Sequence, residues 1–185
     1  MTQQFNKMQT LKRRFFAMRN GLLADQMRRA GSNFRIIFGL NIVQINEIAA
    51  DYGHDPEFAS TLWGNTTTRE SMLLAPMLWS VDDFNYEGAI KLCHEVTDAE
   101  VADIVCHKLL KRRDDVVSII EALIDAEQPI LRYIALRLTL PMIGGKISPE
   151  RALEMADTEI GKEESLTAAL STMIKSEAEY LLEDF

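Results

Sequence analysis

The chain has 185 residues, 47% hydrophobic and 26% charged, enough to bury a sizeable core in one domain over residues 1–185. Mean hydropathy is near zero, the uncharged run near Trp79 is too short to cross a bilayer, and the basic N-terminus lacks an apolar h-region, so no membrane partner and a cytoplasmic place are expected. The net charge of −8 is unevenly spread: residues 1–35 hold eight basic side chains against Asp25 alone, so a basic end can steer an anion while the acidic remainder argues against strong duplex binding.

Residues 4–20 read as a helix, with Phe5, Met8, Leu11, Phe15 and Met18 on one face and Asn20-Gly21 as its stop. Leu22 to Arg29 is a second helix ending at Gly31. Residues 32–41 contain Phe34, Ile36 and Ile37, a β-like run too short and isolated for a sheet, and are read as loop. Ile42 to Tyr52 is helical through Ile45, Ile48, Ala49 and Tyr52.

The stretch FASTLWGNTTTRESMLLAPMLWSV, residues 58–81, is the clearest αα unit. Phe58, Ala59, Leu62 and Trp63 make one apolar face, Gly64-Asn65 end that helix, and Thr67-x-x-Glu70 has the form of a capping box for the next. Pro76 removes a backbone hydrogen bond inside the second helix. Trp63 and Trp79 fall on apolar faces and are read as core anchors, with base stacking the alternative.

Tyr86 to Val96 follows, and Thr97-x-x-Glu100 reads as a second capping box for the helix of Val101, Ile104, Val105 and Leu109. Asp114 is the expected cap of a helix burying Val117, Ile120 and Ile124. Ile130 to Leu140 follows Pro129 and is broken by Pro141 and Gly144-Gly145. Ser148-Pro149-Glu150 is a helix start, and the last helix is expected from about residue 162 to 182. About ten helices in series, with no strand pair and no phosphate-binding glycine loop, imply an all-α protein, either a bundle or an α-solenoid.

The densest group of reactive side chains is DAEVADIVCHKLLKRR, residues 98–113. Asp103 and His107 share a helix face at i, i+4. A Cys106–His107–Asp103 nucleophile is disfavoured because adjacent helix residues point about 100° apart. A metal site from Cys93, His94, Cys106 and His107 lacks zinc-module spacing, so no metal or cofactor is expected. Two cysteines make no disulfide framework and suit a reducing compartment as small hydrophobes. Asp103 on a mostly apolar helix needs either an arginine partner, with Arg132 and Arg137 as candidates, or a functional face.

FGLNIVQINEIAADYG, LWGNTTTRESMLLAPML, EVTDAEVADIVCHKLL and ILRYIALRL, in that order over residues 35–140, resemble the AlkD-type DNA alkylation repair proteins. The Leu62-Trp63 pair, the Arg69-Glu70 pair and the segment around Asp103 are the more specific pieces. The resemblance implies a HEAT-like αα superhelix of five to six helix pairs with a concave groove. Active members excise cationic N3- and N7-alkylated purines without a base-flipping pocket. An aspartate stabilises the oxocarbenium, tryptophans pack on the sugar and an arginine holds phosphate. By position, Asp103 matches the aspartate and Arg132 the phosphate-binding arginine. Ala99 or a neighbour stands where a tryptophan precedes the aspartate, and no tryptophan follows Trp79. Duplex DNA, bound weakly, is then the expected partner, with Arg132, Arg137, His107, Lys108, Lys111, Arg112 and the basic N-terminal helices as contacts. The competing expectation is a non-enzymatic scaffold that holds a protein or peptide in the groove.

Overall fold

The computed structural model describes residues 2–183, with side chains from Asn6 onward. Among the described residues there are eleven α-helices and no strand, only two isolated β-bridges. The fold is all-α and of the helical-repeat kind, with sequential helices packed in pairs. It divides into two units, Met1–Asp83 and Phe84–Phe185.

The first unit contains α1 (Thr2–Ala17), α2 (Gly21–Arg29), α3 (Ile42–Tyr52), α4 (Pro56–Trp63) and α5 (Arg69–Leu78). Leu11 and Phe15 of α1 are buried, as their spacing requires; the expected inward place of Phe5 lies outside the described side chains. Asn20 does not stop α1, which ends at Ala17. It opens α2 instead, its side chain accepting from the Leu23 N–H at 3.1 Å.

The centre of the unit is α5, which packs on α3 and α4 and buries every residue except Met77. Each fully buried Leu or Met there is worth about 1.5–3 kcal/mol. The capping box expected at Thr67 is absent: α5 begins at Arg69, and its N-cap, Thr68, makes no side-chain cap bond. Glu70 turns to the 36–41 loop instead. Its carboxylate accepts N–H bonds from Phe38 (3.1 Å), Gly39 (3.0 Å) and Leu40 (3.4 Å), and takes the Arg69 guanidinium at 3.0 Å. Arg69 also donates to the Leu40 carbonyl at 3.0 Å. A buried carboxylate is stabilised more by three convergent amides and a guanidinium than by one exposed cap amide. Gly39 permits the approach: its φ is +78°, and a Cβ there would stand 2.2 Å from the Asn20 carbonyl oxygen. The 32–41 segment is loop, tied by the Ile36–Thr68 bridge. Trp63 is buried and meets half-buried Trp79 edge-on at 5.6 Å, so both act as anchors of this helix pair.

The second unit contains α6 (Tyr86–Glu95), α7 (Ala99–Lys108), α8 (Val116–Leu123), α9 (Pro129–Thr139), α10 (Pro149–Ile160) and α11 (Ala168–Glu183). The hub is α9, which touches all the other five. Three helix starts differ from the sequence reading. Asp98, not Thr97, caps α7 by accepting from the Glu100 N–H at 2.9 Å. Asp115, not Asp114, precedes α8, and its carboxylate is occupied by Arg113 at 2.7 and 2.8 Å rather than by a helix amide. That start turns Val116 and Ile119 inward and leaves Val117 half-buried. The last helix begins at Ala168, not near 162, because Gly161 caps α10 and Glu163 takes a left-handed φ of 54°.

Candidate functional site

Asp103 on α7 faces α9. Its Oδ1 accepts from Arg137 Nε at 2.9 Å and from the Tyr133 hydroxyl at 3.0 Å. Tyr133 and Arg137 are one helical turn apart, so a single face of α9 supplies both donors. The Asp103 and Arg137 side chains are each 38% exposed, so water still reaches the pair. Burial first, and then Asp103, push the Tyr133 phenol above its ordinary value, so the hydroxyl stays a donor.

These groups open onto a hollow of about 190 Å³ lined by Asp103, Cys106, His107, Lys111, Arg137, Leu138, Leu140 and Pro141. Asp103, His107 and Lys111 recur every four residues, which carries them along one stripe of α7 and its continuation. Leu140 and Pro141 come from the turn that ends α9. Lys111 Nζ lies 2.8 Å from His107 Nδ1. Burial, then Lys111, Lys108, Arg112 and Arg137, lower the His107 pKa below its ordinary value. Cys106 is inert as a nucleophile: burial raises its thiol far above the ordinary range, and Sγ contacts the Ile134 carbonyl at 3.8 Å. Burial likewise pushes the Cys93 thiol up to about 12. Among the described residues, no three His, Cys, Asp or Glu side chains stand together as a metal site.

The two arginines of α9 part company. Arg137 joins Asp103, whereas Arg132 is buried with Nε 3.0 Å from both Glu159 oxygens and Nη1 2.8 Å from the Ala126 and Glu127 carbonyls. Thr167 and Lys162 complete the bonds to Glu159 at 2.8 and 3.0 Å. The Arg132 guanidinium is therefore engaged inside the fold, away from the Asp103 hollow. Lys108 is half-buried and Arg112 exposed, and neither lines the hollow. Of the residues expected from sequence, Asp103, Arg137, His107 and Lys111 come together. Tyr133 was not anticipated, although its place one turn before Arg137 signals a shared face. The pairing of Arg132 with Glu159 had no local signal, because the two stand 27 residues apart.

The chain's residues 11–177 match a protein family described as DNA alkylation repair enzyme. No curated protein and no solved structure matches the chain.

Proposed function

Because the chain belongs to the DNA alkylation repair enzyme family, and so to a family with a DNA-repair role, we propose that it releases cationic alkylated purines from DNA, with Asp103 as the catalytic carboxylate. The observation that carries this reading is a half-exposed carboxylate, held by Tyr133 and Arg137, on a hollow edged with His107 and Lys111. An N3- or N7-alkylated purine is already positively charged and leaves readily. Cleaving its glycosidic bond moves that charge to the deoxyribose, where an adjacent carboxylate lowers the barrier.

Arg137 and Lys111 supply the cations for flanking phosphates. A phosphate can take Arg137 from Asp103 at small cost, since an ion pair this open contributes only about 0–1 kcal/mol. The carboxylate is then left with the Tyr133 hydroxyl, its Oδ2 turned to the developing sugar cation. In this assignment Arg132 holds the helices together rather than the phosphate.

The test is release of 7-methylguanine from methylated duplex DNA by wild type and Asp103→Asn. The substitution is expected to cut release by about a hundredfold or more. Release by neither protein, or undiminished release by Asp103→Asn, overturns the assignment.

A scaffold role draws on a different observation: residues 84–185 carry eleven basic against twenty acidic side chains, a balance suited to a basic protein or peptide. Duplex binding that weakens with salt supports the DNA reading, and the absence of duplex binding supports the scaffold.

A further inference from the structure

The hollow holds an amine in contact with a proton acceptor. Lys111 Nζ and His107 Nδ1 are 2.8 Å apart and line the same space as Asp103 and Arg137. That contact has one shared proton, because an ammonium has only donors and the ring nitrogen must accept. The lowered pKa of His107 keeps the ring in the accepting form at neutral pH. A lysine that shares a hollow with a second cation, here Arg137, and touches a proton acceptor is placed to condense with carbonyl groups. Loss of a purine from DNA produces such a carbonyl: the abasic deoxyribose opens to expose an aldehyde at C1′.

We propose that Lys111 forms an imine with the C1′ aldehyde of an abasic deoxyribose seated in this hollow, His107 serving as its proton acceptor, so that the protein also cuts the strand at abasic sites. The proposal rests on the excision reading for the natural source of that sugar. His107 takes a proton from the Lys111 ammonium, and the free amine adds to C1′. The carbinolamine oxygen receives the proton from His107 and departs as water, leaving an iminium. Neutral again, His107 removes a proton from C2′. The electron pair left behind expels the 3′-phosphate as the C3′–O bond breaks. Water hydrolyses the conjugated iminium, releasing an unsaturated aldehyde and restoring Lys111. No oxidant or reductant is consumed.

The test bypasses excision. The full chain is mixed with a duplex carrying one preformed abasic site, with and without borohydride, which reduces the iminium to a stable amine. Wild type is expected to give a covalent protein–DNA adduct mapping to Lys111, and, without borohydride, a nick 3′ to the site. Lys111→Arg keeps the cation for DNA contact but cannot form the imine, and should give about a hundredfold less adduct. His107→Gln should slow adduct formation by about tenfold or more. Circular dichroism of both variants shows whether the helices persist, and duplex affinity shows whether Lys111→Arg still binds. An adduct undiminished in Lys111→Arg, one mapping to another lysine, or none with wild type overturns the proposal. Failure here with 7-methylguanine release intact removes only the lyase step; trapping without release removes only the excision reading.

Discussion

Arg132 and Arg137 stand five positions apart on α9, about 140° around the helix, and the two sites make opposite demands. Arg132 and Glu159 are both buried, so Arg132→Ala strands a carboxylate inside the fold and should cost about 3–5 kcal/mol of stability in urea unfolding. Arg137→Ala removes a half-exposed pair and should cost no more than about 1 kcal/mol, while weakening DNA binding. Acidity separates them too. Burial opposes the charge on Glu159, but bonds from Thr167, Arg132 and Lys162 outweigh it and hold its pKa below the ordinary 4.5. A carboxylate depressed in the folded state contributes fully above its unfolded value and loses that contribution as pH falls through the folded one. The urea midpoint should therefore drop below pH 4.5, and the part of the drop due to this residue should vanish in Glu159→Gln. That α9 carries arginines on two faces was readable from spacing. Which face meets α7 was not, because it depends on how two helices remote in sequence are turned toward each other.

Helix starts show how local chemistry can be right in kind and wrong by one residue. Thr97 and Asp98 are both good caps; in the fold Asp98 takes the extended backbone of a cap, with φ −136°, and caps α7. Asp98→Ala should lower stability by about 1 kcal/mol, and Thr97→Ala by less than about 0.5 kcal/mol, both measured by thermal unfolding. Periodicity placed most helices correctly, because a buried apolar face leaves a 3.6-residue signature wherever it packs. It failed where a polar side chain served a distant partner. Thr67-x-x-Glu70 had the form of a cap, yet Glu70 is taken up by amides some thirty positions upstream. The delayed start of α11 belongs with it, since Thr167 bonds Glu159 and Glu163 leaves the helical region.

At the scale of the whole chain, charge decides how DNA can be held. Residues 1–83 carry nine basic against eight acidic side chains, while residues 84–185, which contain the Asp103 hollow, are strongly acidic. Binding that depends on a few local cations should have a shallow salt slope. Lys111→Gln and Arg137→Gln should each reduce it by roughly one unit in a log–log titration. The all-α class and the family resemblance could be read from the order of helices and the Asp103 segment. The partition of charge between site and surroundings needed coordinates. Phe38, Gly39 and Leu40 of the first unit lie in a loop, yet their amides all point at one enclosed oxygen pair on α5. In deuterated solvent these three should exchange as slowly as helical amides, and only when that unit opens. A segment that looks disposable by its lack of regular structure would then report the opening of the core beneath it.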